Sequence, residues 1–167
     1  PLLNYEIPAG MGVSARALEI SSDGSIIACT ADNFCHVIEI DGFVRSVINF
    51  QASTDGLALS ADGNFLMGAF QAAKLWRWDG STYAMQWQAG IGGRYCSQLL
   101  ISPDTTYAVS CWYSSSYNRN YIRVHDIHDG SQIWAYTYHQ GSGLQDWPVD
   151  VDISADGNWF AVGSWGD

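Results

Sequence analysis

The chain has 167 residues, enough for one globular domain, and its 47% hydrophobic against 14% charged residues excludes a disordered polymer. Seven Lys and Arg against 17 Asp and Glu give a formal charge of −10, which excludes nucleic acid and an anionic membrane surface as partners, because few cations are present to displace counterions. No apolar run approaches the roughly 18 residues of a membrane-spanning helix, so no membrane insertion is expected. The opening PLLNYEIPAG has neither an initiating Met nor a basic leader, so the expectation is a piece of a longer or processed chain.

In chain order, the run from Leu2 to Ile7 predicts a single strand. A plan then repeats. LEISSDGSIIACTADN (18–33), LALSADGNFLMGAFQ (57–71), LLISPDTTYAVSCWY (99–113) and VDISADGNWFAVGSWGD (151–167) each run through an apolar alternation, Ser, one residue, Asp, usually Gly, and a second alternation. The anchors Asp23, Asp62, Asp104 and Asp156 are 39, 42 and 52 residues apart, a common core with loop insertions. A second turn recurs at Asp41-Gly42, Asp79-Gly80 and Asp129-Gly130, flanked by further alternating runs such as KLWRW and SQIWAYTY. Short β-branched and aromatic runs between Asp-Gly turns are hairpin signals, so each repeat is four antiparallel strands.

No segment sustains a 3.6-residue period, which leaves an all-β sandwich, barrel or propeller. A period of roughly 40–50 residues per four strands selects the β-propeller. Blades are expected at 16–50, 56–89 and 96–138, with the outermost strand of a preceding blade at 2–7 and a partial blade at 148–164. About three and a half blades do not close a ring of about 4–8. Further blades of the same polypeptide, or less simply a second chain, are expected to complete it, and residues 1–167 alone are not expected to be a self-sufficient monomer.

The stretch DGSQIWAYTY…VDVDISADGNWFAVGSWGD resembles bacterial and archaeal-type propeller repeats that lie between WD40 and the quinoprotein-dehydrogenase-like, or PQQ-like, propellers. The resemblance spans nearly the whole chain, but its motif belongs to the fold and not to catalysis. Where WD40 blades end their third strand in Trp-Asp, this chain has WRWDG once and IEIDG and DIHDG otherwise, and the Asp-His-Ser-Trp tetrad of that family is not traceable. These departures favour the PQQ-like or YVTN-like relatives. The resemblance implies an interaction scaffold, and for some PQQ-like members a quinone or metal held over the channel.

The repeated aspartates invite a calcium reading, above all DVDISADG (150–157), but an EF-type loop needs Gly at its sixth position and Ala155 stands there. Asp156 and its counterparts are expected to accept turn N–H groups. Asp150 and Asp152 differ: two apart on a strand they share a face, their equivalents in the first repeat are Ala17 and Glu19, and on an innermost strand they would line the channel. Glu19, Asp150 and Asp152 are therefore candidate ligand-binding residues. The four histidines show no zinc spacing, no catalytic elbow or phosphate loop is present, and GIGGR (90–94) reads as a connection between blades.

The third repeat carries an insertion, CWYSSSYNRNY (111–121), rich in Ser, Asn and Tyr as recognition loops are. Trp112, Tyr113, Tyr117, Asn118 and Arg119 are its candidate binding residues. Cys29 with Cys35, and Cys96 with Cys111, flank hairpin turns symmetrically enough to be directly opposed and are disulfide candidates. The acidic balance, the single Lys74 and the paired cysteines lean towards an extracytoplasmic protein, with a cytoplasmic one as the alternative.

The function expected from these residues is a non-enzymatic propeller scaffold that binds a protein partner, without cofactor. A quinone- or metal-dependent oxidoreductase and a carbohydrate-binding surface are the alternatives.

Overall fold

The structure, a computed structural model, describes residues 4–8, 15–52, 54, 56–69, 71–90, 95–113, 119–139 and 147–165. Its elements are fourteen strands, with no helix among the described residues. β1 (Ala15–Ile20), β2 (Ile26–Ala31), β3 (Phe34–Glu39) and β4 (Val44–Asn49) form one antiparallel sheet in chain order. β5 (Gly56–Leu59), β6 (Phe65–Ala69), β7 (Ala72–Trp78) and β8 (Tyr83–Gly90) form the second. β9 (Tyr95–Ile101), β10 (Tyr107–Tyr113), β11 (Arg119–Asp126) and β12 (Gln132–His139) form the third, and β13 (Trp147–Ile153) with β14 (Phe160–Trp165) the half-blade. The first strands β1, β5, β9 and β13 lie against one another in succession, so they are the innermost strands of a propeller of about three and a half blades.

The sequence folds this way because its turns are locally self-sufficient. In all four Ser-x-Asp turns the Asp Oδ1 accepts the Ser hydroxyl, at 2.7 Å for Ser21–Asp23, 2.6 Å for Ser60–Asp62, 2.7 Å for Ser102–Asp104 and 2.6 Å for Ser154–Asp156. The same carboxylates accept the N–H two residues on, at Ser25, Asn64, Thr106 and Asn158. Each Ser Oγ in turn accepts the N–H of the residue five positions on, at or just before the start of the second strand: Ile26, Phe65, Tyr107 or Trp159. Hydrogen bonds from Ser25, and then Ser21, hold the Asp23 carboxyl down at about 2, and bonds from Ser154 and Asn158 do the same for Asp156. These carboxylates are turn-builders, as the failed calcium spacing implied.

The residue after each Asp takes a left-handed conformation: Gly24 at φ 73°, Gly63 at 70° and Gly157 at 70°, but Thr105 at 59° in the third repeat. A Cβ in that region costs about 1–2 kcal/mol, offset in part by the extra chain entropy glycine loses. Thr105→Gly is therefore expected to stabilise the fold by roughly 0.5–1 kcal/mol in chemical denaturation; a destabilised variant would show that the Thr105 side chain contributes more than its backbone strain costs.

The second set of turns follows suit, with Asp41, Asp79 and Asp129 Oδ1 accepting the N–H of Phe43, Ser81 and Ser131. Before each of them the outer pair of strands carries a register shift, at Val37/Ile38, Leu75/Trp76 and Val124/His125. A bulge at the same place in every blade sharpens its twist and re-aims the residues beyond it.

The core lies between blades. Ile26, Ala28, Cys35, Val37, Ile48 and Phe50 of the first meet Leu57, Leu66, Trp76 and Tyr83 of the second. Ala58, Met67, Leu75 and Trp87 of the second meet Leu99, Ile101, Trp112 and Ile127 of the third. The third closes on the half-blade through Leu100, Val109, Cys111, Ile122 and Val124 against Val151, Ile153, Phe160 and Val162. Hydrogen bonds also cross between blades: Trp87 Nε1–H donates to Ile127 O at 2.8 Å, Ser22 N–H to Ala61 O at 2.9 Å, and Tyr107 Oη–H to Gly157 O at 2.5 Å.

Asn4–Pro8 form no strand, contrary to the expectation for 2–7. Tyr5 instead reaches the face of the first blade, where its hydroxyl meets His36 Nδ1 at 2.9 Å.

Candidate functional site

Strand order gives the propeller two unlike ends. The Ser-x-Asp and Asp-Gly turns emerge at one end and are consumed by their own hydrogen bonds. The hairpins that join second to third strands, and the connections between blades, emerge at the other.

The predicted carboxylates belong to the first and last repeats. Glu19 on β1 and Asp150 and Asp152 on β13 line one groove of about 240 Å³, together with Gln98, Leu99 and Ile101. Burial pushes the Glu19 carboxyl up from its ordinary value. Asp150 and Asp152 accept the N–H groups of Val151 (3.0 Å) and Ile153 (2.8 Å), each from its own strand. Among the described residues no three of His, Cys, Asp and Glu converge closely enough to hold a metal ion.

The aromatic candidates separate. Trp112 is 0% exposed, so it belongs to the core and is not presented for recognition. The cause is its position near the end of β10, a third-blade strand buried on both faces, on the face that meets the second blade. Tyr113 is half-buried, its ring 5.8 Å from that of Tyr95. Tyr117 and Asn118 lie outside the described residues, and Arg119 opens β11 opposite His139.

The cysteine register is a correction. Cys29 pairs with His36 and Cys35 with Thr30, because the hairpin closes at Ala31–Phe34 around two residues, with Asp32 at φ 49°, and is not centred on Asp32. Cys96 pairs with Trp112 and Cys111 with Gln98, because the first hairpin bond runs from Ser102 to Tyr107 and a bulge follows at Cys111/Trp112. All four cysteines are free. A slip of one residue sends opposed side chains to opposite faces.

No family model and no curated protein matches the sequence. Solved structures do. The chain is similar to the crystal structure of the RRP9 WD40 repeats and to the structure of U3-55K, each with a TM-score of 0.65 at 18% identity over 78% of this chain and 41% of the other. It is also similar to the β-propeller domain of Myceliophteria thermophila Cps50 (Swd1), with a TM-score of 0.68 at 12% identity over 95% of this chain and 50% of that one.

The fold is a WD40-like β-propeller. The chain spans between 41% and 50% of the length of these neighbours. Within the propeller the third blade holds a buried polar relay. Trp112 Nε1–H donates to Ser110 Oγ at 2.7 Å, Ser110 Oγ lies 3.1 Å from His125 Nε2, and His125 Nδ1 lies 3.3 Å from Gly130 O. With the proton assigned to Nδ1, the relay runs in one direction from indole to backbone carbonyl. Alignment on the turn aspartates puts Gly68 and Cys29 where Ser110 stands, so the relay belongs to one blade and is not a property of the repeat. The sequence shows four scattered histidines and gives no sign of it.

Burial also holds two imidazoles in the WD40-like fold below their usual range, His36 on β3 and His125 on β11; acceptance by Gly130 O partly opposes this at His125. The unfolded chain therefore takes up protons that the folded one refuses. Stability is fully present above about pH 6.5 and is lost as pH falls below it, by up to about 1.4 kcal/mol per unit for each ring. The urea midpoint should drop measurably between pH 7.5 and 5.5, and an unchanged midpoint would refute the neutral buried rings.

Proposed function

We propose that this chain is part of a non-enzymatic propeller that serves as a scaffold for protein partners and presents the end from which the loop 114–118 and the blade connections emerge. The supporting observation is that the Ser-x-Asp polar groups at the opposite end are used up in four similarly bonded turns, while the recognition-type insertion follows β10 at this end. Deleting 114–118 from the full-length protein should leave the melting temperature within a few degrees and abolish capture of the partner that the wild type retains. Retained capture with unchanged stability would place the interface elsewhere. A deletion that unfolds the protein would contradict a surface role for the loop.

An exposed aromatic platform favours carbohydrate as the second reading. Trp134 and Tyr136 on β12 stack at an interplanar angle of 9° with centroids 6.2 Å apart, and Trp159 is 77% exposed. Binding on a glycan array that is lost in Trp134→Ala would replace the protein-partner reading with this one.

The finer placement among PQQ-like and YVTN-like propellers is part of the proposal and rests on IEIDG and DIHDG in place of Trp-Asp. An extracytoplasmic setting is likewise proposed, on the acidic, lysine-poor composition; four free cysteines lend it nothing.

A further inference from the structure

We infer that the cleft between the first and second blades is a peptide-docking pocket that takes an acidic side chain flanked by an apolar one. This deepens the scaffold reading, on which it rests, by naming the chemistry of the partner.

The cleft lies at the same end as the insertion, where the connection after β4 meets the β6–β7 hairpin, and encloses about 220 Å³. Small-molecule sites occupy roughly 300–1,000 Å³, so this one suits a side chain or two better than a cofactor. Its apolar wall is Phe50 stacked on Trp76, with centroids 4.8 Å apart at 19°. Phe50 can lie there because Gly68 has no side chain: a Cβ at that position would stand 2.4 Å from Phe50 Cε2. Thr54 Oγ1–H bonds to the carbonyls of Ala69 and Gly56 and ties the connection to both strands.

Polar groups converge on this wall. Lys74, which faces Gly68 across the β6–β7 ladder, lines the cleft together with Gln51 and Gln71. Gln51 holds a left-handed backbone at φ 65°, its N–H bonded to Asn49 Oδ1 at 2.8 Å. That conformation costs of order 1 kcal/mol in a residue with a Cβ and is found at binding sites more than elsewhere.

Charge identifies the occupant. Lys74 is the only lysine in a chain of formal charge −10. Three of the arginines are engaged: Arg45 bonds Glu39 at 2.7 Å and sits over Trp78, Arg77 lies over Phe65, and Arg123 over Tyr121. Among the described residues no hydrogen bond or carboxylate engages the Lys74 ammonium. Its stem is half-buried along the cleft, so an incoming carboxylate would meet it partly desolvated, where an ion pair gains more than on an open surface.

The test pans a random peptide phage library over the immobilised full-length protein. Selected sequences are then synthesised with acetylated and amidated ends, so that only side-chain carboxylates remain, and titrated by calorimetry. Selected peptides should carry Asp or Glu beside Leu, Ile or Phe. Lys74→Glu should weaken them about tenfold or more, as should Asn or Gln in place of the peptide acid, while Lys74→Arg keeps the affinity. Binders without an acid, or binders indifferent to Lys74→Glu, would overturn the pocket and leave the scaffold reading intact. Failure to enrich any peptide would also overturn it, and the scaffold reading would then stand or fall on the 114–118 deletion.

Discussion

Trp112→Ala should cost about 3–5 kcal/mol, the range for removing a fully buried large aromatic, and against a domain stability of about 5–15 kcal/mol that brings the protein close to unfolding. The indole fills the interface between the second and third blades beside Met67, Leu75 and Leu99, and it donates the first bond of the relay through Ser110 to His125. Two contributions are thus lost together, and Trp112→Phe separates them. Phenylalanine keeps most of the apolar area and removes only the N–H, so it should cost about 1–2 kcal/mol, the price of one unmade buried bond. Urea denaturation of the three proteins distinguishes the outcomes. An alanine variant within about 1 kcal/mol of wild type would return Trp112 to the surface, where the amino-acid pattern had placed it.

Gly68→Ala should be nearly as damaging although it adds one methyl group. The new Cβ would come within 2.6 Å of Phe50 Cζ as well as 2.4 Å of Cε2, so the ring must leave Trp76. Overpacking of this kind costs about 1–3 kcal/mol, and the lost ring pairing adds about 0.5–1.5 kcal/mol. The mechanism predicts strong coupling: once Phe50→Leu has removed the ring, Gly68→Ala should cost at least about 1 kcal/mol less than it does in the wild type. Additive effects in this double-mutant cycle would show that the glycine is needed for something other than the aromatic ring above it.

The two variants mark the boundary between what local sequence encodes and what it leaves open. The Ser-x-Asp turns were legible because every bond that builds them, from Ser21 to Ile26 or from Ser154 to Trp159, spans five residues or fewer. The Asp-Gly turns at Asp41, Asp79 and Asp129 were legible for the same reason. Turns at fixed offsets between alternating runs specify four-stranded blades, and their spacing specifies a propeller. Alternation also placed Asp150 and Asp152 on one face of an inner strand, and both line a groove with Glu19.

Tertiary structure decided what lies against each face. In a propeller both faces of an inner strand are buried, so Leu57 packs towards the first blade while its neighbour Ala58 packs towards the third, and alternation carries no inside-or-outside signal. That is why Trp112 read as a surface aromatic. Cysteine pairing turned on one residue in the Asp32-Asn33 turn and on a bulge beside Trp112, shifts too small for composition to encode and large enough to reverse a side chain. The Lys74 cleft required Phe50, Gly68 and Trp76 to arrive from two blades, and the relay required Gly130 to close on His125. The sequence alone determined the local hydrogen-bonded turns and the repeat they punctuate; packing between repeats, which depends on partners about 40 residues away and on bulges that re-aim them, was decided only by the fold.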